Sequence, residues 1–202
     1  QTCALPICPI LGGLLTCFLL GLGFFLATHI ENQIADTVEA KRSFYGVLRV
    51  YESDPGEENH QKMLYHGRID HGHQFVDERY RDMPSSYYTN GSGPGIFFEL
   101  HPKRNKATPE PLKFGIVGLG IGTLAAFGEP GDQVRFYEIN SQVEELARKH
   151  FTYLPRCKGE ETVVLGDART TLDRELERGE PQQFDALFVD AFSGDSIPIH
   201  LL

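Results

Sequence analysis

The sequence predicts an α/β protein: a parallel sheet of strand–helix units, preceded by a small β-hairpin unit and an apolar N-terminal helix. Three observations predict it. The 19 basic and 28 acidic residues all lie beyond residue 30, so the head and body of the chain are different physical regimes. From Lys113 onward, runs rich in branched and aromatic residues alternate with helical ones: KFGIVG, GTLAAFG, QVRFYE, SQVEELARKHF, TVVLG, ARTTLDRELERG and FDALFVD. That alternation yields βαβ units and a parallel sheet. Finally, the four strand runs close on Gly118, Glu138, Gly166-Asp167 and Asp190, and the carboxyl ends of strands are where open α/β sheets bind ligands.

The head reads ILGGLLTCFLLGLGFFLA from Ile10 to Ala27, 18 residues without a charge. Roughly 20 helical residues cross the ~30 Å hydrocarbon core of a bilayer, so residues 1–30 are expected to hold a transmembrane helix. A signal peptide and a buried helix are the alternatives. A signal peptide wants a basic start, and residues 1–9 contain no Lys or Arg. Gly12, Gly13, Gly21 and Gly23 suit close packing between membrane helices. Lys41 and Arg42 follow the span and, by the positive-inside rule, place the body in the cytoplasm, with Glu31, Asp36 and Glu39 diluting the signal.

The length of 202 residues suits one ordinary domain with an appendage. A formal charge of -9 argues against a nucleic-acid binder and is compatible with a cationic small-molecule substrate. Cys3, Cys8, Cys17 and Cys157 form no Cys-x-x-Cys pair, so neither a disulfide framework nor a zinc knuckle is indicated. The first residue is Gln1 and the last motif runs directly into Leu202, from which a fragment is expected.

Residues 31–42 read as a juxtamembrane linker and 43–95 as an N-terminal β unit with a loop. The β unit rests on SFYGVLRVYE, the turn cluster SDPGEEN and the run QKMLY. The loop runs from Arg79 to Gly95. A short helix is expected over Ile96–Leu100, then the polar linker PKRNKATPEP, so that 96–202 form a nucleoside-binding domain. Ser141 and Glu144 read as a capping box for the helix SQVEELARKHF.

The chemistry-bearing positions follow this register. Gly118-Leu119-Gly120-Ile121-Gly122 ends a strand and opens a helix, where glycines permit a tight turn and a close approach of backbone to ligand; strand–helix packing is the plainer reading. Glu138 follows Gly118 by 20 positions at the end of the next strand, where a carboxylate can accept hydrogen bonds from both ribose hydroxyls. Asp190 could instead cap the turn that follows it, Asp195 could be an ordinary loop residue, and the Tyr87-Tyr88 pair could be core or pocket. His66, Asp70, His71 and His73 invite a metal reading, but no regular ligand set completes them, and no metal is expected. Arg135, Arg148 and Lys149 read as solvated surface.

Over roughly residues 42–202, from RSFYGVLRVYE through GRIDHG, GSGPG, GLGIGTLA, FYEIN, GDAR and VDAFSGDSIPIHLL, the chain resembles the spermidine synthase-like polyamine aminopropyltransferases. These lie within the class I S-adenosylmethionine-dependent transferase superfold. The head resembles the last membrane helix of the membrane-fused bacterial members. The resemblance implies a Rossmann-like sheet truncated after its fourth strand, a location in the bacterial inner membrane with the catalytic domain cytoplasmic, and transfer of an aminopropyl group from decarboxylated S-adenosylmethionine to a polyamine such as putrescine. It implies that Gly118, Gly120 and Gly122 cradle the donor, that Glu138 binds ribose and that Asp167 with Ala168 binds the adenine edge. Asp190 then handles the attacking amine, with Asp195, Tyr87 and Tyr88 as polyamine contacts. It leaves a homo-oligomer open.

That chemistry suits the residues. The reaction is a displacement at a carbon next to a sulfonium, and it needs a neutral amine although amines of pKa ~10 are protonated at neutral pH. A carboxylate can hold the ammonium, orient the nitrogen and take the proton. Two positions depart from the family. Ile121 stands where the soluble synthases carry an Asp for the donor's amine, and the polyamine-side glutamine is replaced around Asp70 and His71. The alternatives are therefore an S-adenosylmethionine-dependent methyltransferase and a non-catalytic, membrane-tethered nucleoside- or polyamine-binding module. An NAD dehydrogenase fits less well, because the GDA and DAF strand ends are not part of its fingerprint.

Overall fold

The computed structural model describes residues 9–191; Cys3, Cys8 and the 192–202 segment with Asp195 lie outside the described residues. The chain divides between Thr37 and Val38 into two compact units.

The first unit is a 26-residue helix, α1 (Pro9–Ile34). Leu14, Phe18, Phe24 and Phe25 are exposed on different sides of it, which is not the pattern of a helix buried in a soluble core. Its hydroxyls turn inward: Thr16 Oγ1 donates to Gly12 O at 2.9 Å and Thr28 Oγ1 to Phe25 O at 3.0 Å. In hydrocarbon no water would satisfy such groups, and bonding back to the helix does so. Among the described residues, Leu11–Glu31 is the one stretch long and apolar enough to cross a membrane.

The second unit opens with a four-stranded sheet in the order β1 (Thr37–Ser43), β2 (Gly46–Ser53), β3 (Gln61–His66), β4 (Ile69–Phe75). The expected linker over 31–42 is thus replaced by the end of α1 and nearly all of β1. β2 and β3 pair antiparallel with Leu48 opposite His66 and Val50 opposite Leu64, and β3 pairs antiparallel with β4. The β3–β4 register shifts between Met63 and Tyr65, which leaves an extra residue on β4 at His71-Gly72 and a bulge that re-aims the strand.

A short 3₁₀ turn at Ser86–Tyr88 leads to α2 (Gly93–Leu100), three residues longer at its start than the sequence predicts. Ser92 Oγ caps it by accepting from Gly95 N at 3.3 Å, and Pro94 occupies the first turn, where its missing N–H costs nothing.

The parallel sheet follows: β5 (Lys113–Val117), β6 (Gln133–Glu138), β7 (Glu160–Leu165) and β8 (Ala186–Val189), in spatial order β7-β6-β5-β8. Helices α3 (Ser141–His150) and α4 (Ala168–Glu177) connect it, while β5 leads to a 3₁₀ turn at Thr123–Phe127 in place of the expected helix. The N-cap of α3 is Asn140, whose Oδ1 accepts from Gln142 N at 3.1 Å; Ser141 already lies inside the helix, and Glu144 pairs with Arg148 instead of closing a capping box. Leu112, Phe114, Ile116, Leu124, Phe136 and Leu146 fill the core.

Ionic and hydrogen-bonded ties brace the parallel sheet. Asp132 is fully buried and accepts from Arg104, from Leu112 N at 2.8 Å and from Glu129 N at 2.8 Å. Asp185 receives Lys103 Nζ and Lys113 N, so the charged linker after α2 is pinned at two points. The three cations expected to be solvated are all engaged: Arg135 and Tyr137 hydrogen-bond buried Glu175, Arg148 reaches Glu144 and Glu161, and Lys149 bonds Glu39 of β1 at 2.7 Å. His150 joins the Glu39 pair at 2.6 Å, and the two bases hold the Glu39 carboxyl down to about 2.

Replacing Asp132 with Ala strands the Arg104 guanidinium and two backbone amides at once. Breaking one partner of a buried pair typically costs about 3–5 kcal/mol, and urea unfolding of the full chain in detergent should show a loss of that size.

Candidate functional site

The site is built around the turn after β5. Gly118, Gly120 and Gly122 have φ of +95°, +54° and +82°, the left-handed region that side chains disfavour. Space excludes side chains independently at all three. A Cβ on Gly118 would lie 2.3 Å from Asp190 O, one on Gly120 would lie 2.9 Å from His71 O, and one on Gly122 would lie 2.9 Å from Leu154 Cγ. The first contact brings the end of β8 against the loop, and the second brings in the bulge of β4, so two distant chain segments converge on three glycines.

Glu138 ends β6 beside that loop. Its carboxylate is 7% exposed and is held at both oxygens: Oε2 accepts from Leu119 N at 2.9 Å and Oε1 from Asn140 N at 2.8 Å. Burial raises its pKa, opposed by these amides and by nearby His66. Each carboxylate oxygen keeps a second lone pair, so the amides orient the group without exhausting it as an acceptor. Asp167, after β7, is the N-cap of α4, where Oδ1 accepts from Thr170 N at 2.8 Å, and Ala168 beside it is buried.

Asp190 follows β8 and is anchored by its own amide, which donates to Val117 O at 2.8 Å. Its carboxylate meets the tyrosine pair: Tyr87 OH donates to Oδ2 at 3.3 Å, and Tyr88 OH donates to the same oxygen. The two rings lie 4.6 Å apart and tilted. Burial raises the pKa of Asp190, the tyrosine hydroxyls pull it back, and burial together with the carboxylate pushes both tyrosines well above their ordinary range. Tyr88 packs its ring on the core while its hydroxyl serves the carboxylate.

Ile121, the residue that departs from the family at the fourth position of the loop, is 1% exposed and lies against β4: a Cβ on Gly72 would sit 3.0 Å from Ile121 Cγ1. At the other departure, Asp70 Oδ1 accepts from Gly72 N at 2.8 Å, and His71 is largely buried, its ring 5.7 Å from that of His66. His73 faces Ser86 Oγ at 3.1 Å. No three of the described His, Cys, Asp and Glu side chains gather as a metal-binding group.

Sequence reasoning missed the polar tie that carries β4 onto the parallel sheet unit. Gln74 Nε2 donates to Thr152 Oγ1 at 2.9 Å, its Oε1 accepts from Thr152 N at 2.9 Å, and Tyr153 OH donates to Met83 O at 2.7 Å. A polar residue at an inward strand position was the only available signal for it.

No family model matches the chain. Over 97 residues it is 34% identical to a polyamine aminopropyltransferase of Vibrio vulnificus (strain CMCP6), covering 46% of this chain and 31% of that protein. Over 87 residues it is 32% identical to an N-terminal histidine N-methyltransferase of Emericella nidulans, covering 43% of this chain and 15% of that one. Its fold is similar to that of a probable spermidine synthase from Corynebacterium glutamicum ATCC 13032, with a TM-score of 0.53 and 18% identity over 80% of this chain and 53% of that one. The chain therefore spans a third or less of the curated relatives, and its fold is spermidine synthase-like.

The Asp190 carboxylate is held in a place that disfavours its charge. An acid whose pKa is raised by folding contributes stability that is present in acid and lost as pH rises through the folded value. Asp190→Asn, which can still accept from the tyrosines, should thus melt above wild type at pH 8, with the difference shrinking toward pH 4; thermal melts across that range read it directly.

Proposed function

We propose that the chain is the donor-binding and acceptor-facing part of an aminopropyltransferase, which moves the aminopropyl group of decarboxylated S-adenosylmethionine to a polyamine such as putrescine. The observation that carries this reading is the Asp190 carboxylate, fastened by Tyr87 and Tyr88 at the end of the strand beside β5 and its Gly118–Gly122 loop, with Glu138 one strand further on at the end of β6. The similarity to a polyamine aminopropyltransferase and the spermidine synthase-like fold support it.

The donor supplies a carbon activated by an adjacent sulfonium. On the chain's side, Glu138 accepts ribose hydroxyls, the glycine loop admits the sulfonium end, and Asp167 with Ala168 borders the adenine. Both tyrosine hydroxyls engage Asp190 Oδ2, which leaves Oδ1 to receive an ammonium of the acceptor. Asp190 then orients the nitrogen and takes its proton. The new C–N bond forms as the C–S bond breaks, and the bonding pair stays on sulfur as a neutral thioether. A raised pKa makes a carboxylate a better proton acceptor near neutral pH. Asp195 belongs to this reading as a second amine contact.

Methyl transfer is the second reading, favoured by Ile121, which brings no carboxylate to the donor's amine, and by the similarity to a histidine N-methyltransferase. Mass analysis of products from each donor separates the two, since one adds an aminopropyl group and the other a methyl group.

Under the first reading, Asp190→Asn keeps the shape of the residue and removes its charge and basicity. Turnover should fall by roughly 10² to 10⁴, the range for a general base, while donor affinity holds; wild-type turnover in that variant would refute the assignment.

The reading also places α1 in a membrane, with the body on the cytoplasmic side that Lys41 and Arg42 favour. Alkaline carbonate extraction should leave the protein in the membrane pellet, and release into the supernatant would count against an integral anchor.

A further inference from the structure

The β4 bulge leaves one side chain with unspent hydrogen-bonding capacity at the site. His71 Nε2 is buried and has no hydrogen-bond partner among the described residues. Buried polar atoms in native proteins are almost always paired, so an orphan needs a physical reason. Its location supplies one. The His71 carbonyl lies against Gly120, its ring lies 5.7 Å from that of His66, and His66 is close enough to Glu138 to act on that carboxylate electrostatically. Glu138 in turn holds Leu119 N, next to Gly120. The loop, the carboxylate and the two imidazoles are thus linked neighbour to neighbour.

The neighbours of His71 define its chemistry. His66 Nε2 is already engaged at 2.6 Å with Tyr45 O, and Asp70 spends one oxygen on Gly72 N, so neither meets the His71 nitrogen. Burial, aided by His66 and opposed by Asp70, lowers the His71 pKa to about 4, which leaves the ring neutral at physiological pH. A neutral imidazole nitrogen can donate or accept according to tautomer, and the group that matches either role is a hydroxyl.

We propose that His71 Nε2 hydrogen-bonds a hydroxyl of the nucleoside-bearing substrate, opposite Glu138, so that the β4 bulge holds the ribose from the side the glycine loop leaves open. This rests on the reading of the site as one for an S-adenosyl-type donor. It assigns a donor contact to a residue that the resemblance does not supply and makes His71 a determinant of nucleoside affinity.

The test is calorimetric titration of the full chain in detergent with 5′-methylthioadenosine, alongside thermal melts without ligand. His71→Leu removes the nitrogen and keeps apolar bulk. It should weaken binding about 10- to 100-fold, the scale of a lost hydrogen bond to a buried group, while the free protein melts at or above the wild-type temperature, because the orphan atom is gone. His71→Gln, which restores a polar terminus, should recover part of the affinity. Wild-type affinity in His71→Leu overturns the proposal and leaves the donor reading intact, as does an affinity loss that tracks a lowered melting temperature in both variants. A wild-type protein that binds no 5′-methylthioadenosine overturns the donor reading and the proposal together.

Discussion

Everything at the candidate site depends on one steric constraint, the absence of side chains at Gly118 and Gly120. The carbonyl of Asp190 occupies the space where a side chain on Gly118 would begin, and the carbonyl of His71 presses on Gly120. Any larger residue would push away the end of β8 or the bulge of β4, and with them the two segments that carry the rest of the site. The glycines do more than free the backbone for a turn. They let segments near residues 71, 120 and 190 share one small volume, which brings carboxylates from β6 and β8 to the same end of the sheet.

The opposite end of the sheet is secured by different means. Asp132 and Asp185 gather Arg104 and Lys103 from the linker after α2 and backbone amides next to the starts of β5 and β6, while Glu175 of α4 ties Arg135 and Tyr137 along β6. Buried pairs of this kind add little net stability over apolar packing but penalise any arrangement that separates them. The Asp132 and Asp185 ties fix register at the amino ends of the strands, so the carboxyl ends can carry groups held in costly states. Glu138 and Asp190 both sit where burial opposes their charge.

Much of this was legible in the sequence because it is local. Period, strand endings and the spacing from Gly118 to Glu138 all express short-range geometry, and the parallel sheet follows from them. The α3 cap was misread by one residue because Asn140 and Ser141 are both good caps, and only the backbone, extended at Asn140, chooses between them. The 3₁₀ turn at Thr123–Phe127 was read as a helix because its composition is helical; Gly128 and Pro130 end it within two turns. The meeting of Tyr87 and Tyr88 with Asp190 joins residues a hundred positions apart, and no periodicity encodes it. The engagement of Arg135 with Glu175, Arg148 with Glu161 and Lys149 with Glu39 was invisible for the same reason, since these partners lie on other elements; the Glu144–Arg148 pair is local to α3.

Ile121 shows why a single motif position cannot be read alone. A carboxylate there would be buried against Gly72, among the side chains of the core that joins the two sheets. An unpaired buried charge either shifts its pKa until it is neutral or destabilises the fold. Isoleucine turns the position into packing: it seals the glycine loop against β4 and so holds the bulge in place. Under the aminopropyltransferase reading, selectivity for the donor falls to groups around the loop, where the His71 bulge of β4 and the end of β8 meet it. In this chain the fourth loop position is part of the scaffold, and under that reading a contact to the donor's amine would have to come from the neighbouring strand.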